Sequence, residues 1–386
     1  MKAKFIQYLS IILLFPGCMF YSFKGSLPAH IHSISLSPVI NESTEYLVAE
    51  MLNDELNRLM AKENVLDIVS SVCISMYPFY CEIECSGDMN GDGFSDLVVT
   101  SFSWDRPNPE GTGNLNSVGG GVLIPGRAPA NPDRINLICN ADDIFLGPSA
   151  GAQMGWSVAG IGDVNGDGCA DFAVGANSAD LEASNQGLVY IYYGYKPAPS
   201  NCPTEFHIAA LAPGVTNAGA GFSLAGGGDV DGDTLDDLLV GGTTFRNPNN
   251  VSVGAVWLIP GSYLATITPQ LLADGVVPTL IEPFVPPINS LKLRLQGETT
   301  GEDFGYSVAF VPNAAPDGRD AVLVGRRDSD LSGVSEAGSA SLYLFHPPEG
   351  GGPGGFAQTP LVNIGGETMR GRSQMGFSVA EGPDIE

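Results

Sequence analysis

Positive charge is scarce in this sequence: 17 Lys and Arg stand against 43 Asp and Glu, for a formal net charge of −26. Nucleic acids and anionic membrane surfaces select for basic patches, so neither is expected as a partner, whereas metal ions and basic partners are favoured. Histidine is scarce as well. The four present (His30, His32, His207 and His346) are scattered, and no Walker loop or H-E-x-x-H occurs. No catalytic residue is assigned, and the chain is not expected to be an enzyme. The apolar run from about Tyr8 to Phe15 is too short to span a bilayer, so no integral membrane span is expected. Lys2 and Lys4 before it and Pro16 and Gly17 after it give residues 1–24 the layout of a secretory signal, which places the mature chain outside the cytoplasm. Acylation at Cys18 fits less well, because Phe15 and Pro16 are poor matches to a lipoprotein cleavage site.

Glycine and proline are abundant, at 50 and 28 residues, which demands frequent turns and short elements. The fold class is all-β. Removal of Cys18 with the signal leaves Cys73, Cys81, Cys85, Cys139, Cys169 and Cys202, an even set that an oxidising compartment can pair. A local bridge among Cys73, Cys81 and Cys85 is plausible from their spacing, while the overall pairing stays open. Asn41-Glu42-Ser43 and Asn250-Val251-Ser252 are glycosylation sequons. Within an N-terminal segment, residues 25–75, the stretch 43–62 sets Val48, Leu52, Leu56, Leu59 and Met60 on one face at helical spacing. An amphipathic helix that packs on or caps the β domain is expected there.

Residues 76–386 repeat. Four segments align: "CEIECSGDMNGDGFSDLVVTS" from Cys81, "GWSVAGIGDVNGDGCADFAVGA" from Gly155, "GFSLAGGGDVDGDTLDDLLVGG" from Gly221 and "GYSVAFVPNAAPDGRDAVLVGR" from Gly305. A fifth begins at Gly376. Each unit continues with a Gly-led strand ("GGVLIPG", "GLVYIYYG", "GAVWLIPG", "GSASLYLF") and a fourth apolar piece ("INLIC", "FHIAAL", "LKLRLQG", "PLVNIGG"). Four short strands in a unit of roughly 65 to 85 residues describe a propeller blade, in which each small sheet buries its faces against its neighbours.

Between the first two strands of three units lies an acidic loop. The candidate ligands are Asp88, Asn90, Asp92 and Asp96; Asp163, Asn165, Asp167 and Asp171; and Asp229, Asp231, Asp233 and Asp237, at positions one, three, five and nine. Position seven (Phe94, Cys169, Leu235) offers its backbone carbonyl. Carboxylates crowded this closely repel one another unless a cation sits among them. Hard oxygen donors on a Gly-rich loop suit Ca²⁺ better than Mg²⁺, and about three sites are expected. An EF-hand or dockerin-like loop needs an acid at position twelve, where this chain has Val99, Val174 and Val240. Plain Asp/Asn/Gly turns are the remaining alternative, and three copies with one ligand spacing weigh against it. The loop at Asp229, with four carboxylates, should bind tightest. In the fourth unit Pro312, Ala314 and Pro316 replace the first three ligands and leave Asp320 alone, so that loop should be metal-free, with proline supplying rigidity.

The residues "GWSVAG.GDVNGDG..DFAVGA" followed by "GLVYIYYG" resemble the FG-GAP repeat of integrin alpha-subunit propellers. The resemblance implies a β-propeller of four-stranded blades, seven-bladed when complete, with calcium loops that stabilise the blades while ligands bind elsewhere, usually with a partner subunit. It implies a secreted or cell-surface adhesion or ligand-binding module whose partners are extracellular proteins or glycans. Similar repeats occur in lyases and beside phospholipases, which makes an extracellular hydrolase or lyase acting on polysaccharide or phospholipid the alternative. Four loops and a fragment are fewer than seven: either diverged blades make up the difference, with residues Leu27 to Ile40 contributing strands, or, as the abrupt end after "MGFSVA" favours, the natural product continues past Glu386.

Overall fold

The computed structural model describes residues 33–35, 67–69, 82–90, 93–107, 114–124, 126, 143–180, 183–195, 207–267, 270–271, 281–283, 293–329, 337–346, 354–365 and 379. The expected signal and the expected helix at 43–62 lie outside them. The chain divides into two compact units, Met1–Pro78 with Pro383–Glu386, and Phe79–Gly382. In the first, Ser33–Ser35 pairs in parallel with Asp67–Val69.

Among the described residues the second unit holds four larger sheets in chain order, besides two two-stranded ribbons, Arg106–Pro107 with Asn114–Leu115 and Phe345–His346 with Gly355–Phe356. Sheet I runs Glu82–Gly87, Asp96–Ser101, Gly120–Ile124, Asp143–Leu146. Sheet II runs Met154–Gly162, Asp171–Ala176, Leu188–Tyr193, His207–Ala212. Sheet III runs Ser223–Gly228, Asp237–Gly242, Ala255–Ile259, Arg294–Gln296. Sheet IV runs Phe304–Val311, Ala321–Arg326, Ser339–Tyr343, Val362–Gly365. First strands of successive sheets lie beside one another. The middle strands of sheets II and III are buried along their whole length, because a sheet stacked between two others hides both faces. That is why "LVYIYY" and "AVWLI" read as continuous apolar runs rather than alternating ones. Phe145, Phe172 and Tyr192 fill the space between sheets I and II, with Phe172 and Tyr192 stacked at 4.8 Å. In sheet III, Phe245 meets the buried Trp257 edge-on at 5.5 Å.

Two details differ from the sequence reading. The fourth strand of sheet I is Asp143–Leu146, not the upstream "INLIC", which lies outside the described residues. Its Phe145 stands opposite Gly121 and supplies the aromatic side chain that meets sheet II. Sheet II is also wider than four strands: Gln270–Leu271 and Ile281–Pro283, from the long connection inside unit three, pair with its outer strand. They cover an edge that would otherwise present unpaired amides and carbonyls.

The Gly-aromatic-Ser openings of units two to four lie at the joints between sheets. Ser157 donates to the Gly221 carbonyl at 2.8 Å, Ser223 to that of Gly305 at 2.8 Å, and Thr100 to that of Gly155 at 3.1 Å. The backbones approach so closely that a Cβ on Gly175 would lie 2.1 Å from the Gly221 oxygen and 2.4 Å from Ser157 Oγ. Gly175→Ala is therefore expected to destabilise the chain by about 2–3 kcal/mol through overpacking. Gly151→Ala, in open space with φ +76°, should cost only about 1 kcal/mol. Denaturant midpoints of the two variants check this, and equal shifts would contradict the close approach.

Candidate metal centres

Each acidic loop follows the first strand of its sheet and turns into the second. Its position-nine carboxylate is buried and held by backbone amides from two directions. Asp96 accepts from Met89 N at 2.8 Å and Gly126 N at 2.7 Å. Asp171 accepts from Val164 N at 3.0 Å and Gly194 N at 2.8 Å. Asp237 accepts from Val230 N at 3.0 Å and Gly261 N at 2.9 Å. One amide is at loop position two and the other just past the third strand, so this residue ties the loop to its own sheet. Asp96 also accepts from Asn90 N at 3.2 Å, while each oxygen of Asp171 and Asp237 keeps a second lone pair for a further partner.

The remaining side chains fold over their own backbone. Asp163 accepts from the amides of Gly166, Asp167 and Gly168, Asn165 from that of Asp167, and Asp167 from that of Cys169. Asp229 accepts from Gly232 and Thr234, Asp231 from Asp233, and Asp233 from Leu235. In the first loop Asp88 accepts from Gly93 N at 2.8 Å, and Asn90 Nδ2 reaches Asp96 at 3.4 Å; Asp92 lies outside the described residues. Of the position-seven residues, Phe94 is exposed, Leu235 half-buried and Cys169 fully buried. Cys169 is disulfide-bonded.

In the third loop Asp229, Asp231 and Asp237 each present a carboxylate oxygen, all within 4.8 Å of one another. Asp233 Oδ2 is buried there without a hydrogen-bond partner. A buried anionic oxygen left unpaired is costly, and a cation would satisfy it. The donor set is all oxygen, which fits a hard divalent ion. Burial, the largest cause, pushes the Asp171 carboxyl up to about 8 against the pull of the Gly194 and Val164 amides; Asp167 and Asp163 push the same way. Asp237 is pushed up to about 8 by burial as well, with Asp231 and Asp233 adding to it.

The fourth loop keeps the skeleton without the acids. Asn313 N, at position two, donates to Asp320 at 3.0 Å, which verifies the register. Sequence reasoning gave the bracing of this loop to proline, but Arg319 contributes it too, since its guanidinium binds Asp317 and reaches the Val230 carbonyl of the third loop. A lone basic residue beside three aligned acidic loops was the available signal.

At the opposite end of the first strands a row of aromatic rings runs from sheet to sheet. Phe102 meets Trp156 at 4.6 Å, Trp156 meets Phe222 at 5.4 Å and Phe222 meets Tyr306 at 5.0 Å. All four are half-buried, and Arg327 lies over the Tyr306 ring at 4.6 Å. Seven residue steps along the strand from Trp156 to Asp163 separate the row from the loops by about 23 Å.

Stacked four-stranded sheets, each carrying a loop of one design between its first two strands, define a repeat protein built of propeller blades. The FG-GAP repeat model matches residues 154–192, within sheet II. The chain is similar to integrin alpha-PS2 of Drosophila melanogaster (34% identity over 40% of this chain and 11% of the relative) and to integrin alpha-3 of Mus musculus (37% over 40% and 13%). It is also similar to a phosphatidylinositol-glycan-specific phospholipase D of Dictyostelium discoideum (28% over 43% and 18%). The match thus spans under a fifth of the length of each of these relatives.

Asp167→Ala and Asp233→Ala are each expected to lower calcium stoichiometry by about one. Asp320→Ala should lower stability and leave stoichiometry unchanged; calorimetric titration separates the three, and equal stoichiometry throughout would contradict the assignment. A second expectation concerns pH. In the metal-free chain the folded pKa of Asp171 and Asp237 lies above the unfolded value of 3.8, so their protons stabilise the fold below about pH 4 and that stability is lost as pH rises to about 8. Melting temperature in EDTA should fall between pH 5 and 8, and calcium should flatten the slope; a rise with pH in EDTA would refute the sign.

Proposed function

We propose that the chain forms calcium-stabilised FG-GAP blades of a secreted or cell-surface protein that binds extracellular protein or glycan ligands. The observation that carries the reading is the third loop, where three carboxylates converge and a fourth oxygen, on Asp233, is buried and unpaired. Three loops of one design serve a scaffold better than a single active site, so the cations brace the blades and chemistry is not assigned to them. The disulfide at Cys169 suits an oxidising, extracellular compartment. Among the described residues no helix is long and apolar enough to cross a membrane.

The aromatic row is the surface offered to a partner, possible partner subunits included. Half-exposed rings in sequence give large contact area, and their faces attract Lys or Arg side chains. A second reading, the propeller of an extracellular hydrolase, draws on the similarity to the phospholipase D, whose own name concerns phosphatidylinositol-glycan.

Thermal unfolding in EDTA and in millimolar Ca²⁺ tests the first part, because an ion that binds the folded state raises the midpoint, by about 2.7 kcal/mol of stability at a hundredfold excess over Kd. Attachment of cells to surfaces coated with the chain tests the second. Attachment in calcium that is lost in EDTA and in Trp156→Ala, with the melting midpoint of that variant retained, is the expected result. No attachment together with turnover of a glycosylated phosphatidylinositol would favour the hydrolase.

A further inference from the structure

Position eight of the second, third and fourth loops, which carries no ligand, meets the preceding sheet at or beside its loop. Ala170 donates its amide to the Asp88 carbonyl at 3.1 Å, and a Cβ on Gly87 would lie 2.7 Å from Ala170 Cβ. A Cβ on Gly162 would lie 2.3 Å from Asp236 Oδ2, and one on Gly232 would lie 2.9 Å from Arg319 Cδ. The fourth loop thus places a guanidinium against the most acidic of the three.

The contact is a clamp of several bonds. Asp320 accepts from Asp229 N at 3.0 Å and returns its own amide to the Asp229 carbonyl at 3.3 Å. Arg319 Nη1 donates to the Val230 carbonyl at 2.6 Å, and Nη2 to the Phe345 carbonyl at 3.0 Å. Nε and Nη2 both hold Asp317 Oδ2, at 3.0 and 2.7 Å. The side chain is 16% exposed, so its charge is shielded from water more than that of an ordinary surface arginine. Val230, whose carbonyl takes the Nη1 bond, lies between the candidate ligands Asp229 and Asp231.

We infer that Arg319 is a resident cation of the third loop, lent by the neighbouring carboxylate-poor loop, which holds the third loop in shape before metal arrives and lowers its affinity for divalent ions. Charge and geometry act in opposite directions here. A fixed positive charge beside a divalent ion weakens binding by roughly threefold to tenfold at short range, while the clamp spares the metal-free chain an unbraced cluster of four carboxylates. The third loop, richest in acids, is thereby brought closer to the other two in affinity. This rests on the reading of the loops as calcium sites.

Calorimetric titration of the full chain with CaCl₂, and melting in EDTA, are compared for wild type, Arg319→Gln and Arg319→Lys. Arg319→Gln is expected to melt lower in EDTA yet to bind one of its ions about threefold to tenfold more tightly, an advantage that shrinks in 1 M NaCl. Arg319→Lys keeps the charge and loses the planar fork, so it should melt lower in EDTA with wild-type affinities. A bracing role alone would lower the melting point of both variants and raise no affinity. Wild type that binds calcium, with Arg319→Gln binding no more tightly, overturns this inference and leaves the loop assignment standing. If Arg319→Gln does not fold, tighter binding by Arg319→Lys overturns it equally. Wild type that binds no calcium overturns both.

Discussion

The buried carboxylate at position nine is the constraint on which each blade depends. Asp96, Asp171 and Asp237 are almost wholly removed from water, and each is held by amides from its own loop and from the end of the third strand. Such a group holds the first three strands of a sheet in one arrangement, but it is an anion in a low-dielectric place beside other anions. Amide dipoles offset part of that cost, and the raised pKa of Asp171 and Asp237 shows how much is left over. A divalent ion within the loop would offset the rest, which gives a physical reason for the other acids at positions one, three and five.

Sheets join by a different device. The serine of one Gly-aromatic-Ser opening binds the carbonyl of the next opening glycine, and that glycine adopts a positive φ (Gly155 +85°, Gly221 +83°, Gly305 +82°). The aromatic residue between them is turned into the row that links Trp156, Phe222 and Tyr306. One three-residue motif therefore serves backbone packing, an inter-sheet hydrogen bond and a possible docking surface. The acidic loops lie at the far end of the same strands, so the loops and the aromatic row can change independently.

Much of this was legible because the units repeat. Asp163, Asn165, Asp167 and Asp171 could be a turn when read once; the same spacing at Asp88 and Asp229 turns it into a pattern with a chemical purpose. The strands "DFAVGA", "LVYIYY" and "AVWLI" were legible from apolar runs bounded by glycine. The outer strand of sheet I was not, since "INLIC" and "DIFL" are both short and apolar, and only the pairing of Phe145 opposite Gly121 selects the latter. The aromatic row was not legible either: Phe102 follows the second strand instead of occupying the Gly-aromatic-Ser slot, and only the stacking of sheets brings it to Trp156.

What the sequence determined by itself was local and periodic: the β class, the four-strand unit, the acidic loops and the loss of three of their acids from the fourth unit. These depend on neighbours a few residues apart, whose spacing the chain displays directly. Only the tertiary structure decided which loops touch. Arg319 meets Val230 across 89 residues of chain, and Asp320 meets Asp229 across 91. Such contacts depend on the stacking of whole sheets, whose separation is set by backbone approach at Gly175 and Gly241 and which no spacing along the chain encodes.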